Sequence, residues 1–285
     1  MSNESYTIFL ESYELVKNHD ATKLFQVELN EFADISPVSN KIMNSNIDYD
    51  FQLEDEDLIE KCFDCPEEDN LPKEFSWVSK GAVTEVSNQL SCGGCYAFSA
   101  AESLEGQYFL KTGKLVKFSK SQLVDCSTDY GNYKCQGGLQ SNCFKYLEKY
   151  GAMSEEDYPY VPKGEKCKYN ESKVVTMVKS YKTVNTFFSS IKSVLYSKGP
   201  LSVSLDASQR DFQLYSGGVY HSDKCSNVAD HAVLLVGWGT ENDTDYWLLK
   251  NSWGKGFGGI MRGFVKISMD LDCGISENVI SYPIL

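Results

Sequence analysis

Positive charge is what this chain lacks most. Its 285 residues hold 27 Lys+Arg against 40 Asp+Glu, for a formal charge of −13 with histidine neutral. A phosphate backbone repels such a surface, which argues against nucleic acid as a partner. Only two of the basic residues are arginines, Arg210 and Arg262. With frequent asparagine, that scarcity hints at an AT-rich coding genome and carries no chemistry of its own. No apolar run is long enough for a membrane span, which takes about 18 residues or more. The N-terminus, MSNESYTIFLESYELVKNHD, has no basic start followed by an apolar block, so no secretory signal is read there. No HxxxH pattern accompanies CFDC (62–65), which argues against zinc. No metal and no cofactor is expected.

What the chain does have is a core and cysteines. A hydrophobic content of 42% supports one large domain or two modest ones, and 24% charged residues with 13% aromatics argue against disorder. Ten cysteines are too many for an ordinary cytosolic protein and too few for a small disulfide scaffold. The charge is unevenly spread. Residues 1–70 hold 18 acids and 4 bases, a balance of −14, and residues 71–285 hold 22 acids and 23 bases, a balance of +1. Pro66 and Pro72 bracket the change. An acidic leader (1–70) thus precedes a nearly neutral body (71–285).

Within the leader, ESYELVKNH (11–19) reads as helical, KLFQVELNEFAD (23–34) alternates as a strand does, and the acidic stretch 49–70 reads as a solvated linker. In the body, CYAFSAAESLEGQYFLKTG (95–113) and GGLQSNCFKYLEKYG (137–151) are helical runs closed by glycine. Strand patterns follow in LSVSLD (201–206), HAVLLVGWG (231–239), DYWLLKNS (245–252) and GFVKIS (263–268). A helical part over about 80–170 and a β part over about 171–285 make an α+β body of two subdomains, with a site expected between them.

Chemistry concentrates in QLSCGGCYAFSAAE (89–102). A CxxC is read as a redox pair, a metal clamp or a disulfide; a nucleophile is the fourth option. Cys95 opens a helix, whose exposed N–H groups stabilise a thiolate. Gly93 and Gly94 permit a sharp turn and close substrate approach. A thiolate needs a base that pairs with it and later protonates a leaving amine, a role that suits histidine. Of the three histidines, His19 lies in the leader and His221 in a polar loop, whereas His231 opens an apolar strand. Asn251 ends the next strand and can orient an imidazole, with Trp253 shielding the hydrogen bond from water. Gln89, six residues before Cys95, supplies an oxyanion donor beside the Cys95 N–H. The order Gln, Cys, His, Asn is the signal.

These residues resemble the papain family of cysteine proteases, in its cathepsin L/B-like branch. The family's histidine and asparagine lie roughly 130–150 residues beyond the cysteine; here the separations are 136 and 156. Further matching segments run through the body: LPKEFSWVSKGAVTEVSNQ (71–89), FSKSQLVDCS (118–127), CQGG (135–138), YPY (158–160), GPLSVSLDAS (199–208), YSGGVY (215–220), DHAVLLVGWG (230–239), KNSWG (250–254) and CGI (273–275). The resemblance implies a papain-like fold with a helical left subdomain, a β-barrel-like right subdomain and a cleft between them. It implies Cys95 as nucleophile, His231 as base and acid, Asn251 as orienter and Gln89 in the oxyanion hole. Substrate contacts would come from Gly137, Gly138, Leu139, Ser204, Ala229, Asp230, Trp253 and Asn278, with an apolar or aromatic residue preferred before the scissile one.

The leader is similar to the family's inhibitory pro-segment: Asn30, Phe32 and Asp34 of ELNEFAD match its motif, while Glu28 stands where the family has glycine. It would act as an intramolecular inhibitor, removed at acid pH as its carboxylates are protonated. The family pairs Cys92–Cys135, Cys126–Cys167 and Cys225–Cys273, each worth about 4 kcal/mol in the chain-entropy view. Cys143 reads as buried and inert, and Cys62 and Cys65 remain open between disulfide, redox latch and thiols. Leu90 and Tyr96 depart from the family's usual glycine and tryptophan and bear on cleft shape. No insertion after CQGG resembles an occluding loop, which favours endopeptidase action on protein or peptide substrates by a monomer. Sequons stand at Asn3, Asn170 and Asn242. The disulfides imply a lysosome-like or extracellular, oxidising compartment, or an unconventional route such as virion packaging. Rival readings are a catalytically inactive papain-like protein acting by binding or inhibition, and a thiol–disulfide enzyme using Cys92 and Cys95.

Overall fold

A computed structural model describes residues 2–35, 58–186 and 190–285. The leader begins with α1 (Asn3–Lys17), capped by Ser2, whose hydroxyl accepts from the Ser5 N–H, with Glu4 in the first turn and Lys17 in the last. Two short strands follow, β1 (Phe25–Val27) and β2 (Ile59–Glu60). The alternating stretch 23–34 therefore yields only three strand residues. The Asn30 Oδ1 accepts the Phe32 N–H at 3.0 Å, a side-chain turn that takes the backbone out of the ladder. The stretch 49–70 is not all linker: beyond β2 it carries a Cys62–Cys65 disulfide. The rest of that expectation, residues 49–57, lies outside the described residues.

The body opens with β3 (Phe75–Ser76) and continues with three helices: α2 (Cys95–Thr112), α3 (Lys120–Cys126) and α4 (Gln140–Tyr150). Gly113 at φ 72° and Gly151 at φ 73° end α2 and α4. Residues Cys95–Gly106 of α2 are all buried, because small side chains let neighbours approach on every side. Ala97, Ala100, Ala101 and Leu104 pack with Phe118, Leu123, Val124, Phe144 and Leu147 into the helical core.

Next come β4 (Ala152–Met153), β5 (Val174–Thr176), β6 (Ser180–Val184), α5 (Ile191–Lys198), β7 (Leu201–Leu205), α6 (Arg210–Gln213), β8 (Tyr215–Tyr220), β9 (His231–Glu241), β10 (Thr244–Lys250), β11 (Phe264–Ser268) and β12 (Ile280–Ile284). β4 pairs with β5. The main sheet runs β1-β8-β11-β10-β9-β7-β12-β6-β2, with β3 also on β9. Among the described residues this is an open path, so the expected barrel-like half is a sheet whose two ends do not pair. Both terminal strands, β1 and β2, belong to the leader. A second core of Leu201, Val203, Leu205, Val233, Leu235, Leu249, Val265 and Ile267 fills the β part. The α+β architecture follows: helices on one side, sheet on the other, α2 packed between them against β7 and β9.

Candidate active site

Cys95 occupies the first position of α2, after Gly94, which caps the helix without a side-chain bond. The turn before it is fixed by Cys92–Cys135 and by the Gly93 N–H to the Cys135 carbonyl at 3.0 Å. Cys92 is thus committed to Cys135, which removes the thiol–disulfide reading of Cys92 and Cys95. The other body disulfides are Cys126–Cys167 and Cys225–Cys273. These three are the pairs that the resemblance implies.

α2 crosses the seam along one stripe. One turn past Cys95, the Ser99 hydroxyl donates to the Val233 carbonyl at 2.6 Å and lies 2.5 Å from Ser202 Oγ. Val233 stands two residues beyond His231 on β9. That contact fixes the start of the Cys95 helix against the strand that His231 opens. His231 Nε2 lies 2.8 Å from Asn251 Oδ1, which also accepts the Ser252 N–H at 2.8 Å. An amide oxygen fixed by a backbone N–H accepts and does not donate, so the proton is on Nε2 and Nδ1 carries the lone pair. Nδ1 makes no hydrogen bond among the described residues. Trp253 lies over the pair, its ring 4.7 Å from the imidazole. Burial pushes the His231 pKa down from 6.5 to about 4, opposed by the Asn251 bond.

Gln89 is brought to the same seam. Its N–H donates to the Ser252 carbonyl at 2.7 Å, its Oε1 accepts from the Ser252 hydroxyl at 2.6 Å, and its Nε2 donates to the Cys92 carbonyl at 3.0 Å. Cys95, Gln89, His231 and Asn251 are all at 0% exposure. Around them, Gly137 takes φ 107°, and Gly138 has no room for a side chain beside Asn132 and Tyr96. The Leu139 N–H donates to Asn132 Oδ1 at 2.8 Å, which sets the entry to α4. Ser204 is buried and accepts from Gln140 Nε2 at 3.0 Å. Asp230 Oδ1 accepts the Ala207 N–H at 2.8 Å beside buried Ala229. The Asn278 amide donates to the Asn227 and Gly274 carbonyls at 2.9 and 2.7 Å, which ties it to the loop of the third disulfide. Cys143 is buried near the Asn132 amide, and burial pushes its thiol up.

The leader reaches this site. Phe25 packs on Tyr220 with ring centroids at 4.8 Å, and Phe32 on Trp253 at 5.4 Å. β1 runs antiparallel to β8, and Gly218, at φ 74°, leaves space that a Cβ would fill against the Leu24 carbonyl. Asn30 Nδ2 donates to the Gln213 carbonyl at 2.8 Å. Arg210 then clamps the next turn: its guanidinium donates to the carbonyls of Ile35 at 3.0 Å and Ala33 at 2.7 Å, and to the hydroxyl of buried Ser12. Burial lowers the Arg210 pKa, against the pull of Glu11 and Asp34. Sequence reasoning missed this residue. Its rarity among 25 lysines was the available signal, since a fork-shaped donor is what two converging carbonyls require.

Comparison with known proteins agrees with this arrangement. A model described as papain family cysteine protease matches residues 71–284. Procathepsin L of Rattus norvegicus is 44% identical over 223 residues, 75% of this chain and 66% of that protein. A cathepsin L-like protein of Caenorhabditis elegans is 38% identical over 283 residues, 95% of this chain and 82% of that protein. The chain therefore spans just under two thirds of the rat relative. The solved digestive procathepsin L2 proteinase from Tenebrio molitor larval midgut superposes with a TM-score of 0.89 at 31% identity, covering 100% of this chain and 95% of that one. With its body matched from end to end, and its leader aligned with that of a proenzyme, the chain belongs to the papain family of cysteine proteases.

Proposed function

We propose that this protein is a cysteine endopeptidase made as a zymogen. The observation that carries the reading is the His231–Asn251 pair, which occupies Nε2 and leaves Nδ1 as the ring nitrogen available to act as base. His231 Nδ1 takes the Cys95 proton, and the thiolate attacks the scissile carbonyl. Negative charge then develops on the carbonyl oxygen, where the Cys95 N–H and Gln89 Nε2 are the donors. The C–N bond breaks as the imidazolium protonates the leaving amine, and a thioester remains. Water, deprotonated by His231, attacks that thioester and releases the acid and the thiol. Asn251 holds the imidazole in the productive tautomer throughout.

Endopeptidase action rests on the short passage from Cys135 to α4, which carries no insertion across that end of the cleft. The substrate residue before the scissile one is assigned to Leu139, Ser204, Ala229 and Asn278, and main-chain contacts to Gly137, Gly138, Asp230 and Trp253. The leader, residues 1–70, serves as the chain's own inhibitor: Phe32 covers Trp253, and the catalytic groups are fully buried. Four disulfides fit maturation in an oxidising compartment.

The test is incubation of the full chain and of Cys95→Ala at about pH 4–5, where carboxylates begin to protonate. Loss of an N-terminal piece ending near residues 60–75 in the wild type alone, with hydrolysis of an added peptide amide, supports the reading. A folded wild type that neither processes nor hydrolyses, and whose Cys95 resists iodoacetamide after the leader is removed by pepsin, would be an inactive binding protein instead.

A further inference from the structure

Beneath the catalytic residues lies a set of charges that the reaction does not use. Glu102, Glu105, Lys120 and Lys250 are each at 3% exposure or less. Lys250 Nζ lies 2.8 Å from Glu102 Oε1 and donates to the Thr84 hydroxyl at 3.1 Å. The Thr84 hydroxyl in turn donates to Glu105 Oε2, and Lys120 Nζ donates to Glu105 Oε1 at 2.5 Å. Two positive and two negative charges thus form one buried chain from α3 through α2 to β10.

Its placement is specific. Cys95, Ser99, Glu102 and Gly106 recur at the helical period, so they form the stripe of α2 that faces the sheet, while Ala97, Ala100, Ala101 and Leu104 face the helical core. Three of the four meet the β part: Ser99 at Val233, Glu102 at Lys250, and Gly106 at Pro200, whose ring leaves no space for a Cβ. Lys250 directly precedes Asn251. A buried ion pair is a weak source of stability, because desolvation consumes its Coulombic gain. Apolar side chains would have joined the subdomains at least as firmly. What the charge network adds is direction, since the hydrogen bonds that link Lys250 through Thr84 to Glu105 and Lys120 hold only at one separation and orientation.

We propose that Glu102 and Lys250 are positioning residues for peptide hydrolysis. They lock β10, and through it Asn251 and the imidazole bonded to it, in register with the helix that carries Cys95. The inference rests on the Cys95–His231 reading above.

The experiment measures kcat, KM and Tm on the full chain after removal of the leader, by acid or by added pepsin, with a peptide amide as substrate. Glu102→Gln is expected to lower kcat on the order of 10- to 100-fold, the cost of a misplaced catalytic group, with KM within about twofold. Glu102→Met/Lys250→Met, an apolar pair of similar volume, is expected to keep the Tm of the wild type or exceed it and still to show the low kcat. Thr84→Val, which keeps shape and removes the bridging hydroxyl, is expected to lower kcat about threefold at unchanged KM. Wild-type kcat in the double Met variant, or in Thr84→Val if the double variant does not fold, overturns the proposal. Absence of turnover and of Cys95 alkylation in the wild type would instead defeat the underlying catalytic reading.

Discussion

His231 is neutral in the leader-covered form down to about pH 4, because it is completely buried. An imidazole in water binds its proton near 6.5, so a state that exposes His231 binds more protons across that window. The covered form is therefore fully stable above about pH 6.5 and weakens as pH falls toward 4, by roughly 3 kcal/mol from this group alone. In a Cys95→Ala background, which cannot cut itself, acidification is expected to release Phe32 from Trp253, read as a change in tryptophan fluorescence. Adding His231→Gln is expected to flatten the portion between about pH 4 and 6.5; an unchanged slope there would assign the trigger to the leader's carboxylates alone. Asn251→Ala is expected to lower kcat on the order of 100-fold while the fold persists, measured with a small amide substrate. The residues named in that chemistry were legible in the sequence, since Gln89 and Cys95 share one short segment and only three histidines compete for the base. Glu102 and Lys250 were not, because nothing local distinguishes a lysine bound for burial from 24 others.

Between elements, the leader is held by few but directed contacts. Arg210 alone spans Ser12, Ala33 and Ile35. Charged hydrogen bonds contribute about 1.5–3 kcal/mol each, so Arg210→Ala is expected to speed leader loss at fixed pH by at least tenfold. SDS gels over time check it, and an unchanged rate would show that β1 pairing suffices. Elements with local signals were readable: glycine stops on α2 and α4, and the apolar runs of β7 and β9. The leader was read less well. Its alternating stretch 23–34 turns after Val27 because Asn30 bonds its own backbone at Phe32. Arg210 meets partners 175–198 residues away, which no window along the chain reveals.

At the scale of the molecule, the main sheet ends among the described residues on a leader strand at both edges: β1 covers β8, and β2 covers β6 with Glu60 accepting from the Tyr282 hydroxyl. An uncovered strand edge is a template for pairing with other chains. Residues 71–285 refolded alone are expected to scatter light more than the full chain at equal concentration, and a leader peptide added in trans is expected to reduce it. Equal scattering without the leader would show that the body protects its own edges. The division between a leader at −14 and a body at +1 was legible from composition, but its use as two separated edge strands was not. Which edge a strand covers depends on the finished sheet.

Cys62–Cys65 gives the position of a cut unusual weight. Phe63 is 91% exposed between them, yet the two Cα atoms are 5.3 Å apart, about half of what an extended segment of that length spans. A protease cleft that binds extended chain is thus denied the loop, and Cys62→Ser/Cys65→Ser is expected to quicken chymotryptic scission after Phe63, read by N-terminal sequencing. Should scission occur there with the disulfide intact, the leader stays tethered at millimolar effective concentration, and the inhibition proposed for it is expected to persist. Only a cut outside the four-residue loop sets it free to diffuse, so this small ring turns the site of one hydrolysis into a choice between release and retention.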